Sequence, residues 1–253
     1  AEDGIRDFCL SRGLGDVYKR QDIIVIGTDD GLVQITSNGG DSWRKIDNIP
    51  GAPTQSYVNS VYTSHHDENV IYVAFNHHKY GDFKPYLFMS EDKGDSWKSI
   101  SSNLPSRGSV YAIEEDHIDS GLIFCGTEFG VFFSPNNGKT WKQLSNGLPT
   151  IAVRDIAIQR DMNDLVLGTF GRGFYVLDDY SPLRTIENKK ISQKAMIFST
   201  REAIMWEKAS PLGLPGKSFQ GDNFYTGDNL DPVAMINYYY NENYKSIRDK
   251  RKD

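Results

Sequence analysis

A handful of side chains in this 253-residue chain have types and positions suited to chemistry. His77 and His78 stand together shortly before Asp82, Glu128 sits in the turn Gly126–Gly130, Arg154 follows Val153, and Arg172 is held between Gly171 and Gly173. Two carboxylates held ~5–9.5 Å apart cleave a glycosidic bond, one as acid and the other as nucleophile or base. Asp82 and Glu128 are therefore the catalytic candidates. Adjacent histidines on a loop need a third ligand to hold a metal, and none stands beside His77 and His78, so a solvated pair is the simpler account. Arg172 either grips a carboxylate or phosphate in a bidentate fork or braces neighbouring strands. Asp29, Asp30 and Asp155 complete the set, with turn chemistry alone accounting equally well for Asp29, Asp30 and Glu128. There is no nucleophile elbow or metal box, and nothing calls for a cofactor.

What positions these residues is a repeat. The frame [S/T]-x-[D/N]-x-G-x-[S/T]-W occurs at Thr36–Trp43, Ser90–Trp97 and Ser134–Trp141. An Asx side chain bonds backbone N–H groups further along the turn, and Gly takes the positive φ that such a turn needs. Asn38, Gly40 and Trp43, Asp92, Gly94 and Trp97, and Asn136, Gly138 and Trp141 are accordingly read as structural. The frame predicts Trp97 buried at its hairpin and Asp92 turned back onto its own loop.

Around each frame lie short strands with regular turn signals. Asp22–Ile26, Leu122–Cys125 and Leu165–Leu167 each run into a Gly-Thr turn and a further apolar run. Tyr57–Ser64, Val110–Glu114 and Val153–Gln159 precede three of the units and alternate with period two. Each full unit reads as a four-stranded meander A, B, C, D with the frame on the C–D hairpin, which is a propeller blade. Ala74 to Ser90 spans sixteen residues where Gly126 to Ser134 spans eight, so the second blade carries an eight-residue insertion between strands B and C, within Asn76–Tyr86. In such a meander the B–C and D–A loops share one face, and His77, His78, Asp82, Glu128, Arg154 and Arg172 all fall there as the binding candidates. The first unit lacks strand A and the last lacks the frame. The count is about three to four blades, an incomplete propeller with an apolar flank expected at Asp22–Ile35.

Residues 1–21 stand outside the pattern, and residues 11–21 resemble a translated sequencing adapter, so they are set aside as a non-native leader. Blades are expected over 22–186. From 187 to 253 a polar stretch, a Pro/Gly-punctuated linker at Pro211–Gly216, two candidate strands at Phe219–Tyr225 and Pro232–Tyr240, and a charged tail read as the start of a second β-domain. A net charge of -6 carries no nucleic-acid footprint. No apolar run approaches the ~18 residues of a membrane span. Two cysteines are too few for a disulfide framework.

The three frames resemble the Asp-box, or BNR repeat, of sialidase-like and sortilin-like β-propellers. The phrases Asp82–Tyr86, Gly126–Gly130, Asn146–Pro149, Asn163–Leu165 and Gly171–Asp179 further resemble large bacterial sortilin-like proteins labelled "glycosyl hydrolase". The resemblance runs from about Asp22 to Tyr240. It implies an all-β propeller followed by β-domains, a secreted or periplasmic location, and one of two functions. The first is a binding or scaffold module for protein, peptide or glycan, acting through the B–C and D–A face. The second is a sialidase-like or xyloglucanase-like glycoside hydrolase whose catalytic site lies partly outside this chain. The binding reading is preferred because the strongest motif is a structural one.

Overall fold

The computed structural model describes residues 22–186, 194–203, 205, 207, 233–241 and 246–252. The expectations for residues 1–21, for the linker at 211–216 and for a strand at 219–225 lie outside the described residues. The chain divides into two units, Ala1–Glu187 and Asn188–Asp253.

In the first unit the strands form four antiparallel sheets, each a meander in chain order. Blade 1 holds β1 (Ile24–Gly27), β2 (Val33–Thr36) and β3 (Arg44–Ile46), and blade 2 holds β4 (Tyr57–Thr63), β5 (Ile71–His77), β6 (Asp82–Ser90) and β7 (Lys98–Ser99). Blade 3 holds β8 (Val110–Glu115), β9 (Ile123–Thr127), β10 (Gly130–Ser134) and β11 (Lys142–Leu144), and blade 4 holds β12 (Val153–Gln159), β13 (Asp164–Thr169) and β14 (Phe174–Leu177). Among the described residues the first blade has no innermost strand and the last has no outermost one. The fold is an all-β, incomplete propeller whose sheets do not close into a ring.

The continuous apolar runs of the B strands follow from burial on both faces. Ile71, Val73 and Phe75 of β5 pack with Val33 and Ile35 of blade 1. The alternate residues Tyr72 and Ala74 pack with Ile113, Ile123 and Cys125 of blade 3. Phe124 and Leu122 then turn the other way, onto Val153, Ile156 and Leu165 of blade 4. One strand thus belongs to two cores, and each large side chain buried this way contributes ~1.5–3 kcal/mol. The outer flanks have no such cover: Ile24 and Ile26 are 40% and 44% exposed, and Phe174 is 80% exposed. Cys125 is a fully buried free thiol, its pKa raised by that burial.

The insertion in blade 2 is not an irregular loop. β5 and β6 stay paired out to His77↔Asp82, past a bulge, and the hairpin closes through a 3-10 turn at His78–Tyr80 and a left-handed Gly81. The added residues lengthen a hairpin because their backbone groups can then bond each other instead of needing water.

After β14 a 3-10 turn at Ser181–Thr185 brings Arg184 onto the fully buried carboxylate of Asp116 in the β8–β9 turn. Arg184 donates to both carboxylate oxygens, at 2.8 Å and 2.7 Å, and the Tyr180 hydroxyl donates to Oδ1 at 2.5 Å. Burial alone would push the Asp116 pKa up, but the Arg184, Tyr180 and Asp119 N–H bonds outweigh it and hold the group below its ordinary value. In the second unit β15 (Ala195–Ile197) pairs with β16 (Tyr238–Tyr240), and a helical turn α1 covers Ile247–Lys250.

Candidate functional site: the B–C and D–A loop face

Strand A carries the same bulge in three blades. The register skips one residue between Val58 and Ser60, between Val110 and Ala112, and between Val153 and Asp155. The extra residues are Asn59, Tyr111 and Arg154. A bulged residue is left out of the ladder and re-aimed, so three equivalent positions at the loop end of the inner strands become available for function. Asn59 Nδ2 donates to Val110 O at 2.6 Å, joining blade 2 to blade 3. The guanidinium of Arg154 stacks on Tyr111 with 3.7 Å to the ring centroid and lies 5.3 Å from the Phe170 centroid. Tyr111 is half-buried, whereas Arg154 and Phe170 are exposed. Burial raises the Tyr111 pKa, with the Arg154 charge pulling against it and Glu128 adding to it.

The loops around this row are tied to it by backbone bonds, Glu128 N to Ser109 O at 3.1 Å, Phe170 N to Ala152 O at 2.9 Å and Gly108 N to Phe83 O at 2.7 Å. Arg107 lies 5.4 Å from the Phe83 ring centroid. Exposed aromatics stud the same face: Tyr57, Tyr80, Phe129 and Phe170.

The side chains singled out from the sequence separate into distinct groups. His77 Nδ1 lies 3.0 Å from Ser56 Oγ, and its ring stacks on Tyr80 at 4.4 Å, while the Tyr80 hydroxyl donates to Gln55 at 2.9 Å. His78 instead sits on Asn76, with Nδ1 2.5 Å from Oδ1, so the two imidazoles serve different partners. Asp82 accepts the Tyr86 hydroxyl at 2.6 Å and the Lys84 N–H at 3.1 Å, both within its own hairpin. The Tyr86 bond holds its carboxyl below the usual range and pushes the Tyr86 phenol, already raised by burial, up to about 12. Asp82 and Glu128 belong to different blades and share no partner among the described residues. Arg172 is exposed in a turn between Gly171 and Gly173, both at positive φ. Sequence reasoning passed over Tyr111, Asn59 and Phe170. The signal was present in the aligned phrases Val58-Asn59-Ser60, Val110-Tyr111-Ala112 and Val153-Arg154-Asp155, each lying opposite a small residue of strand B.

On the opposite face the three repeated turns share one bonding scheme. Asn38, Asp92 and Asn136 each accept through Oδ1 the backbone N–H four residues on, at 3.0, 2.8 and 2.9 Å. The first hydroxyl of each frame accepts the glycine N–H: Thr36 from Gly40, Ser90 from Gly94, Ser134 from Gly138, at 3.0, 2.7 and 2.8 Å. The Asp92 carboxyl, bonded chiefly by the Ser96 hydroxyl and N–H, is held down at about 2. The tryptophans differ: Trp43 is 41% exposed, Trp97 is half-buried and Trp141 is 3% exposed. The full burial expected of Trp97 is thus met only by Trp141. That ring packs into the blade 2–blade 3 core and donates Nε1–H to Ile100 O at 2.7 Å, whereas Trp97 donates to Gly94 O of its own turn at 3.2 Å.

No family model and no curated protein sequence matches this chain. Among solved structures it is similar to an ancestral GH74 enzyme, with a TM-score of 0.48 and 21% identity over 60% of this chain and 21% of that one. It is also similar to YCF48 bound to D1 peptide, with a TM-score of 0.49 and 16% identity over 63% and 49%. A third is the extracellular domain of BT4673 from B. thetaiotaomicron, with a TM-score of 0.48 and 19% identity over 64% and 20%. The chain spans from about a fifth to about half of the length of these proteins. Among the described residues no helix is long and apolar enough to cross a membrane.

Proposed function

We propose that this chain carries blades of a secreted or periplasmic, sortilin-like BNR/Asp-box propeller whose B–C and D–A loop face binds a protein, peptide or glycan. The supporting observation is the bulge-placed Arg154, stacked on Tyr111 and beside the exposed Phe170. An arginine braced by rings keeps its N–H fork pre-organised, so little rotamer freedom is lost when a ligand binds. His77, His78, Asp82, Glu128 and Arg172 frame the same face and are proposed as its further contacts. Hydrolysis is the weaker reading. A general acid needs a raised pKa, and the Asp82 carboxyl is held low by Tyr86.

Displayed peptide libraries and arrayed glycans, probed with the whole chain, test this proposal. Arg154→Ala and Phe170→Ala should each weaken the selected ligand by about tenfold or more, while Lys139→Ala, on the opposite face, should leave it unchanged. Turnover of chromogenic glycosides that disappears on Asp82→Ala or Glu128→Ala would replace the binding reading with the hydrolase.

A further inference from the structure

At two junctions, between blades 1 and 2 and between blades 2 and 3, a repeated turn packs on the preceding blade, yet one of the two is open. Between blades 2 and 3, Asn103 seals the outer rim by bonding both backbone groups of Trp141, donating to its O at 2.9 Å and accepting from its N at 2.7 Å. Blade 1 contains the corresponding phrase, but shorter. Two residues, Ser101 and Ser102, separate Ile100 from Asn103, whereas Asp47 alone separates Ile46 from Asn48. Asn48 makes no such clasp on Trp97. The rim between blades 1 and 2 holds instead a cleft of about 440 Å³, and Trp97 lines it.

The chemistry of this cleft is specific. Arg44 is already used, paired with Asp95 at 2.8 Å and donating to Gly94 O at 3.1 Å. Asp47 and Asn48 line the cleft as well, are exposed, and make no side-chain hydrogen bond or salt bridge among the described residues, whereas Lys45, between Arg44 and Ile46 on β3, takes the other side of the strand, where its charge acts on Asp30. Asp47 and Asn48 supply a carboxylate acceptor and an amide that both donates and accepts. The half-buried indole of Trp97 supplies an apolar face, and Ile46 and Pro50 extend it. Arg44 and Asp95 neutralise each other, which leaves the Asp47 carboxylate facing solvent. Such a site gives an anion no net attraction. It suits a ligand with apolar C–H faces and a rim of hydroxyls that both donate and accept. The volume is within the roughly 300–1,000 Å³ of small-molecule sites.

We infer that the cleft between blades 1 and 2 is a binding site for a neutral carbohydrate, one sugar ring stacking on Trp97 with its hydroxyls bonded by Asp47 and Asn48. The site is separate from the loop face and does not depend on the function proposed there.

The test is calorimetric titration of the whole chain with neutral gluco-, xylo-, manno- and galacto-hexaoses and with a hexauronate, followed in parallel by indole fluorescence. At least one neutral hexaose should bind and change the fluorescence. Asp47→Ala and Asn48→Ala, both at exposed positions that leave the blades intact, should each weaken it by about tenfold. Trp97→Phe should remove the spectral change, and Lys139→Ala, in a turn of blade 3 away from the cleft, should leave both signals untouched. Tighter binding of the hexauronate, no binding of any neutral hexaose, or binding indifferent to both Asp47→Ala and Asn48→Ala would overturn the assignment.

Discussion

Asp92 and Asn136 occupy the same position in two turns of one design, and only the aspartate titrates. Its folded-state carboxyl is held at about 2 against an ordinary 3.8. A depressed carboxyl stabilises fully above its unfolded value, and that contribution disappears as the pH falls through the folded one. Blade 2 should therefore loosen between about pH 4 and pH 2. Asp92→Asn installs the residue that the other two turns use, and should flatten this acid limb while keeping the neutral-pH stability, as followed by acid titration of near-UV circular dichroism. Gly138 is constrained in another way. It sits at φ 76, and a Cβ there would lie 2.7 Å from Ile100 Cβ of the preceding blade. Gly138→Ala should cost ~1–3 kcal/mol by overpacking in addition to its backbone strain. Gly147→Ala, at φ 77 with nothing within 4 Å, should show the strain alone by the same denaturant titration. At this scale the sequence disclosed the Asx bonds, because they are local. It did not disclose what each side chain meets across a blade boundary.

Strands and hairpins were legible wherever a pattern recurred. The A–B–C–D meander follows from turn signals and period-two runs, and the observed sheets have that order. The bulges on strand A were not read, since an extra residue in a ladder is defined by its partner strand and not by its own neighbours. The insertion in blade 2 was legible in length but not in form, for pairing of its two arms depends on their facing each other. The same limit explains the tryptophans. One motif yields three burial states because the residue that covers the ring comes from the preceding blade. Trp141→Ala should cost ~3–5 kcal/mol, Trp97→Ala distinctly less, and Trp43→Ala within about 0.5 kcal/mol of zero, a ranking that urea midpoints of the three variants would measure.

Across the whole chain, the repeat established an all-β array, while the Asp116–Arg184 clasp was invisible because 68 residues separate its partners. Arg184→Ala should leave a buried carboxylate without its cation and cost ~3–5 kcal/mol, a loss partly recovered by Asp116→Asn in the same chain, as thermal melts would report. The junctions between blades also run in one direction. Gly94 packs on Ile35 and Ile46, Gly138 packs on Ile100, and Arg44 and Asn103 reach forward to grip the next turn. Each hairpin is thus received by a surface that the earlier part of the chain has already built. A polypeptide emerging from the ribosome would meet these contacts in the order in which it is made, every new hairpin finding its dock already folded, while the Asp116 carboxylate of blade 3 waits for Arg184 to arrive 68 residues later.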